Sequence, residues 1–184
     1  MLPALKKNYQ VKKTINMTMP IVSLFNTPLG NLEIMHDGQA IHSAVFVEIN
    51  PATADRTASL AGITIQSGPT SPFCELIAQE LDAYFHQPNH RFQITLKPHG
   101  TAYQQRVWNA LLVIPVGRTL SYGALAQSLQ SSPRAVGQAC KKNPITLFIP
   151  CHRVIGKDNF GGYMGDKDAL SLKLALLKHE GICI

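Results

Sequence analysis

The chain has 184 residues, of which 45% are apolar, so it is long enough for one large or two small domains with hydrophobic cores and is not of the disordered class. No stretch approaches the roughly 20 apolar residues of a membrane span, and residues 1–19 lack the apolar core of a secretory signal. The net charge of +6 favours a polyanionic partner such as nucleic acid, although a merely solvated surface explains it about as often. We expect no membrane contact and a cytoplasmic location, or a nuclear one in a eukaryote.

The N-terminal half is predicted to combine a small β-sheet with one helix. Turn residues separate three apolar segments that indicate strands, over residues 23–27, 32–35 and 40–47, while residues 50–70 indicate a loop or a weak element. Ser71 as N-cap and Pro72 at N1 predict a helix to about His86. Alternation over residues 91–97 predicts a further strand. Residues 1–97 are therefore expected to form a supporting α/β domain with a basic N-terminal tail.

The C-terminal half is predicted to be mainly helical. Thr101, Ser121 and Ser132 are placed to cap helices over residues 103–112, 122–129 and 133–142, the first with Leu112 among its inward-facing residues. The last two helices, joined by a tight polar turn, resemble a helix-turn-helix, although two helices that merely pack in a core are commoner. The predicted fold class is α+β, with a winged-helix-like C-terminal domain over residues 98–184.

The final helix is predicted over residues 168–180. Asp168 is a suitable N-cap, Gly181 suits the position after the helix, and an apolar stripe would comprise Leu170, Leu174 and Leu177. Glu180 does not fit, because a carboxylate at the negative end of the helix dipole is disfavoured. We therefore expect Glu180 to be engaged with a positive or hydrogen-bond-donating partner.

The four cysteines are predicted to be free thiols. They form no CxxC pair and no regular spacing, and no secretion signal accompanies them. The seven histidines do not combine with the cysteines at the spacing of a structural zinc site. We expect no metal and no organic or nucleotide cofactor. The cysteines are Cys74, Cys140, Cys151 and Cys183.

Residues 150–154, PCHRV, place a thiol, an imidazole and a guanidinium in a row between two apolar segments. Burying such groups costs several kcal/mol unless they are paired. A proline that cannot donate a backbone hydrogen bond precedes them and ends regular pairing. Cys151 as nucleophile beside His152 indicates chemistry on an anionic partner, whereas an ion pair explains Arg153 better than catalysis does.

Residues 149–156, IPCHRVIG, resemble the active-site motif of the O6-alkylguanine-DNA alkyltransferases, also called methylated-DNA–protein-cysteine methyltransferases. The resemblance covers about residues 100–181, and residues 1–97 resemble the family's variable N-terminal domain only in outline. Further family motifs occur in the same order: YQ at 103–104 with VW at 107–108, IPVG at 114–117 with SY at 121–122, RAVG at 134–137, NP at 143–144, GGY at 161–163 and HEG at 179–181.

The resemblance implies a monomeric DNA repair protein that transfers an alkyl group from O6 of guanine in double-stranded DNA to its own Cys151. O4-alkylthymine is a further candidate substrate. O6 of a paired guanine lies inside the duplex, so the nucleotide must be flipped out, which costs a few kcal/mol. No residue is suited to activate water for thioether cleavage, so each molecule is expected to act once.

The nucleophile must be a thiolate, and an unperturbed thiol of pKa about 8.5 is only a few per cent ionised near pH 7. His152 is the candidate base, and because consecutive side chains diverge, we expect it to reach Cys151 through one water. Glu180 would orient and charge-stabilise His152, which makes a cysteine–water–histidine–glutamate relay. The family pattern implies the same roles, and Asn143 would brace the turn that carries Cys151.

By resemblance, the hydroxyl of Tyr122 contacts guanine N3 and its side chain helps to rotate the phosphate, while a core aromatic with a wet hydroxyl is an equal alternative. Arg134 would replace the extruded base in the stack. The small residues Ala135 and Gly137 would let the helix lie in the minor groove. Main-chain groups would hold the guanine edge. The remaining base-binding candidates are Cys151, Val154, Tyr163 and Met164.

Three other functions are compatible with parts of the pattern. A non-catalytic binder of the alkyltransferase-like type would replace the cysteine, which this chain keeps. A regulator that reads sequence should carry Asn, Gln or several Arg on its recognition helix, and this helix offers mainly Arg134 and Gln138. A cysteine hydrolase would not place its histidine next to the nucleophile.

Overall fold

A computed structural model of the chain describes residues 20–47, 58–60, 63–67, 71–87, 89–164 and 169–183. The N-terminal half contains a five-stranded antiparallel sheet with the strand order β3-β2-β1-β5-β4. The region 50–70, predicted as a loop or weak element, therefore contributes two short strands. The strands are β1 (Ile21–Thr27), β2 (Gly30–His36), β3 (Ile41–Val47), β4 (Ala58–Leu60) and β5 (Ile63–Ser67).

The core of this half lies between the sheet and helix α1 (Pro72–His86). Strand alternation buries Leu32 and Ile34 completely and leaves Glu33 between them exposed. The helix begins as predicted, because the Ser71 hydroxyl accepts a hydrogen bond from the backbone N–H of Cys74 at 3.2 Å. The small sheet with one helix is therefore confirmed.

The strand predicted over residues 91–97 is wrong. Only Leu96 forms a bridge, in parallel with Ile41 at the start of β3. The N–H of Gln93 is bonded instead to the carboxylate of Glu80 on α1, at 2.8 Å. A side chain therefore takes a donor that a strand partner would have needed, and the segment meets the sheet only at its end, where Thr95 and Lys97 share backbone hydrogen bonds with Ile41.

Helix α2 (Ala102–Leu112) begins with a capping box in which Thr101 and Gln104 each bond the other's backbone N–H. Val107, Trp108 and Leu111 are buried as predicted. Leu112 is 45% exposed, so its inward orientation was wrong, because a residue one step along a helix points about 100° away.

Two short helices follow β6 (Leu120–Ser121): α3 (Tyr122–Ser128) and α4 (Pro133–Lys141). The predicted caps are present, with the Ser121 and Ser132 hydroxyls accepting backbone N–H bonds at 3.0 and 3.2 Å. The indole N–H of Trp108 donates to the carbonyl of Ala139 at 2.9 Å and so ties α2 to α4. The helix pair predicted as a helix-turn-helix is therefore held on α2.

The segment after α4 attaches the C-terminal half to the sheet. The N–H of Ala44 in β3 donates to the carbonyl of Pro144, and the N–H of Thr146 donates to the carbonyl of Ala44, at 2.9 and 2.8 Å. A single turn of 3-10 helix, Cys151–Arg153, follows a few residues later and leads into β7 (Val154–Ile155), which pairs in parallel with β6.

The last helix, α5 (Leu170–His179), begins later than predicted, with Ala169 at the N-cap position and no side-chain cap bond. Asp168 lies outside the described residues. Of the predicted leucine stripe only Leu177 is buried, with Lys173 and Leu176, whereas Leu170 and Leu174 are half-buried. Gly181 has φ +79°, as its predicted place after the helix requires.

Across the described ranges, no helix combines the length and the apolar character that crossing a membrane demands.

Replacing Thr101 with alanine removes the hydroxyl that accepts from Gln104 N at 3.2 Å. We expect the free energy of unfolding to fall by about 1 kcal/mol, measured by urea denaturation. Thr119→Ala removes a threonine hydroxyl that caps no helix and should cost less than about 0.5 kcal/mol. Equal losses in the two variants would contradict the capping role.

Candidate active site

The turn at residues 150–154, which we call the reactive turn, follows a segment where the backbone is bent sharply. Leu147 has φ +74°, an uncommon value for a non-glycine residue, and the N–H of Cys151 donates to the carbonyl of Ile149 at 2.8 Å. Because β7 pairs with β6, with Leu120 opposite Val154, the start of α3 lies beside this turn. Cys151 is only 4% exposed.

Asn143 contacts the Cys151 sulfur directly. Its side-chain amide donates to Sγ at 3.3 Å and to the carbonyl of Ile149 at 2.8 Å, while its Oδ1 accepts from the N–H of Ile145 at 3.1 Å. Burial raises the pKa of Cys151, and the Asn143 hydrogen bond and the charge of Lys173 act in the opposite direction. The amide therefore holds the turn and favours negative charge on the sulfur.

His152 is fully buried and faces Glu180, with Nε2 and Oε1 2.9 Å apart. A carboxylate only accepts, so Nε2–H donates, and Nδ1 of the neutral ring is left as a possible proton acceptor. Among the described residues, Nδ1 has no protein hydrogen-bond partner. Burial lowers the pKa of His152, although the Glu180 carboxylate opposes that effect.

Arg153 forms a bidentate ion pair with Glu180. Its Nε donates to Oε2 and its Nη2 to Oε1, each at 2.8 Å, and its Nη1 donates to the carbonyl of Ile114 at 2.6 Å. Burial would raise the pKa of Glu180, but the hydrogen bonds from His152 and Arg153 outweigh it and lower that pKa to about 2. The partner expected for Glu180 and the ion pair expected for Arg153 are thus the same contact.

Lys173 was not singled out from the sequence. It is completely buried on α5, and its Nζ donates to the carbonyls of Val154 at 2.6 Å and Gly162 at 3.3 Å. Burial lowers its pKa to about 8, although Cys151 and Cys140 oppose that effect. A lysine three and four residues before two buried leucines, on one face of the predicted helix, was the signal that could have revealed it.

Tyr122 is the first residue of α3, and its ring lies between two glycines from other segments, Gly161 and Gly137. A Cβ on Gly161 would come within 3.1 Å of its ring, and one on Gly137 within 3.9 Å. The Lys173 Nζ lies 5.8 Å from the ring centroid. Burial, then the neighbouring Cys140 and Cys151, raise the pKa of Tyr122 to about 12, so its hydroxyl stays protonated and can donate.

The other predicted site residues differ in their burial. Tyr163 is buried, with its ring 6.4 Å from that of His152, and Met164 follows it half-buried with φ +51°. Arg134 is exposed in the first turn of α4, and Ala135 beside it is half-buried. The fold therefore clusters the proposed relay and leaves Arg134 on the surface.

Within the part of the chain that the structure describes, no group of three or more His, Cys, Asp or Glu side chains is arranged to hold a metal ion.

Another side chain missing from the sequence predictions is Tyr84 on α1, whose hydroxyl donates to Glu180 Oε1 at 2.9 Å. In the sequence it continues the spacing of Ile77 and Leu81 and so looks like an ordinary core aromatic. No local signal marks it as part of the site.

Both halves of the chain match known family models. Residues 21–98 match the model described as "6-O-methylguanine DNA methyltransferase, ribonuclease-like domain", and residues 102–182 match its "DNA binding domain".

Individual relatives agree with this result. A methylated-DNA–protein-cysteine methyltransferase of Mycobacterium leprae is 39% identical over 157 residues, which cover 84% of this chain and 88% of the relative. One of Methanosarcina acetivorans is 44% identical over 108 residues, which cover 58% of this chain and 68% of the relative.

Solved structures show the same α+β fold. The crystal structure of Mycobacterium tuberculosis O6-methylguanine methyltransferase superposes with a TM-score of 0.70 at 33% identity, covering 88% of this chain and 93% of that one. The Mycobacterium tuberculosis protein in complex with DNA gives 0.67 at 31% identity, covering 87% and 92%. The resemblance drawn from the sequence motifs is confirmed: the chain belongs to the methylated-DNA–protein-cysteine methyltransferase family.

Proposed function

We propose that this chain repairs double-stranded DNA by transferring the alkyl group from O6 of a flipped-out guanine to Sγ of Cys151. The observation that carries the proposal is the grouping of a buried thiol, an amide on its sulfur and a buried His152–Glu180 pair on one turn and one helix end. O4-alkylthymine presents a similar carbon–oxygen bond and is the second substrate class to test.

The reaction is a displacement at carbon. The Cys151 proton passes through one water to Nδ1 of His152, and the imidazolium is stabilised by the carboxylate of Glu180. An electron pair of the sulfur forms the S–C bond as the C–O6 bond breaks. The electron pair of the broken C–O6 bond stays on the guanine oxygen. The proposal is supported by the Nε2–H bond to Glu180, which leaves Nδ1 as the acceptor.

Lys173 would supply positive charge for the thiolate. The Cys151 sulfur raises the pKa of Lys173, and Lys173 lowers that of Cys151, which is the reciprocal effect expected of a cation near a forming anion. Its two carbonyl contacts hold the ammonium group in place. This fixed charge is useful because the buried sulfur has no bulk water to solvate it.

The leaving guanine needs a donor. Tyr122 is suited to that role, because its raised pKa keeps the hydroxyl protonated at neutral pH. The main chain at Val154 and Met164 and the ring of Tyr163 would complete the base pocket. The carbonyl of Val154 accepts from Lys173, and because a carbonyl oxygen has two lone pairs it could also accept from a guanine N–H.

DNA would be bound through α4. Arg134 is exposed in the first turn of that helix, where it could enter the base stack, and the small side chains of Ala135 and Gly137 allow close approach to the minor groove. We propose that the protein acts as a monomer without a cofactor. A purely regulatory or damage-binding role is not favoured, since neither would need a buried cysteine with an amide on its sulfur and a His152–Glu180 pair beside it.

The alkyl acceptor is testable by mass spectrometry after incubation with duplex DNA containing O6-methylguanine. We expect one methyl group per molecule, on the Cys151 peptide, because the thioether product cannot be hydrolysed by this site. Cys183→Ala removes an exposed cysteine and should behave as the wild type. Retained label in Cys151→Ala, or more than one methyl removed per protein, would overturn the proposal.

The charge of Lys173 is testable through the pH dependence of transfer. Removing a cation raises the pKa of the Cys151 thiol, so Lys173→Met should move the pH–rate profile upward by about one unit and slow transfer about tenfold at neutral pH. Lys178→Met, on the exposed side of the same helix, is the matched control. A slower variant with an unshifted profile would assign Lys173 to packing alone.

Base flipping is testable by comparing two substrates. Arg134→Ala should slow transfer from duplex DNA about tenfold or more, because the vacated position in the stack costs a few kcal/mol when unfilled. Transfer from the free nucleobase O6-methylguanine needs no flipping and should be unchanged. Equal losses with both substrates would show that Arg134 does not act on the duplex.

A further inference from the structure

A side chain from the N-terminal half reaches the carboxylate of Glu180. Tyr84 on α1 is 1% exposed, and its hydroxyl lies 2.9 Å from Oε1. Since an ionised carboxylate has no proton to give, the phenol is the donor. The two residues are 96 positions apart in the chain, so this bond depends on how the two halves pack.

Three donors converge on the same oxygen. Oε1 accepts from His152 Nε2 at 2.9 Å, from Arg153 Nη2 at 2.8 Å and from the Tyr84 hydroxyl, while Oε2 accepts from Arg153 Nε. Hydrogen bonds to a charged acceptor are stronger than neutral ones and fix its geometry. The Tyr84 hydroxyl therefore shares the oxygen that His152 depends on.

The position of Tyr84 is itself held from both sides. Nε2 of His179 donates to the Tyr84 carbonyl at 2.8 Å, and the two rings lie 4.9 Å apart. On the other side Phe92 stacks on Tyr84 at 5.0 Å and contacts Phe148 at 4.4 Å. The C-terminal part of α1 thus packs between the end of α5, at His179, and Phe92, which in turn contacts Phe148 shortly before Cys151.

We propose that Tyr84 is a positioning residue of the alkyl-transfer reaction, which sets the orientation and proton affinity of the His152–Glu180 pair from the N-terminal half. The inference rests on the relay described under the proposed function. The phenol withdraws negative charge from Oε1, so the pair holds a proton less strongly, and His152 stays neutral and able to accept the thiol proton. The N-terminal half then completes the active site rather than only supporting it.

Other charged or titratable groups also face this pair, and their contributions stay constant when only the Tyr84 hydroxyl is removed. They are Arg153 on the reactive turn, Lys173 on α5 and Tyr163 after β7.

The test is Tyr84→Phe, which removes one oxygen and keeps the ring packing. We expect methyl transfer from O6-methylguanine DNA to be about tenfold slower near pH 6, because a charged acceptor loses one of its donors. The lower-pH limb of the pH–rate profile should move to higher pH, since the pair now takes up a proton more readily. Loss of packing alone would slow transfer at every pH without moving that limb.

A double-mutant cycle separates this role from general destabilisation. In a Glu180→Gln background, Tyr84→Phe should change the rate by less than about twofold, because the charge it acts on is gone. A full tenfold effect in that background would overturn the inference. So would an unshifted pH profile in Tyr84→Phe with Glu180 intact.

The failure of the proposed function would look different. In that case the wild type itself would gain no methyl group on Cys151, whatever the residue at position 84. A wild type that is alkylated at Cys151, together with a Tyr84→Phe variant indistinguishable from it, would reject the inference alone.

Discussion

The buried carboxylate of Glu180 is the constraint on which the rest of the site depends. A charge removed from water is tolerated only when partners compensate it, and Glu180 has three, from the reactive turn and from α1. Two of these partners are held by further bonds, Arg153 to the carbonyl of Ile114 and Tyr84 through its own carbonyl to His179. One helix end thereby holds together the turn that carries Cys151, the loop after α2 and the N-terminal half.

The same burial determines the resting charge of the reacting groups. It raises the pKa of Cys151 and lowers that of His152, so both tend toward their neutral forms, while Asn143 and Lys173 favour the thiolate. In the proposed reaction this balance matters, because a neutral thiol is a poor nucleophile. Burial keeps the Cys151 thiol neutral and unreactive at rest, while the base, the amide and the cation around it favour the thiolate that the proposed reaction needs.

Features governed by neighbours along the chain could be predicted well. The caps at Ser71, Thr101, Ser121 and Ser132 are present because each depends on a hydroxyl meeting an N–H three residues away. The strand over residues 91–97 was wrong, and the stripe of α5 was right only at Leu177, for the opposite reason. Lys173 is buried because carbonyls remote along the chain accept hydrogen bonds from its ammonium group, and Gln93 is bonded to Glu80 on another element.

The sequence by itself determined the α+β class, the helix pair, the reactive PCHRV turn and the misplaced carboxylate that needed a partner, because these follow from residue types and local spacing. Only the tertiary structure decided which partners those are. Tyr84 and Glu180 are 96 residues apart, His152 and Glu180 28 apart, and no periodicity encodes such contacts. They follow from the packing of α1 and α5 around the turn, where burial makes an unpaired charged group costly and so favours partners for the Glu180 carboxylate.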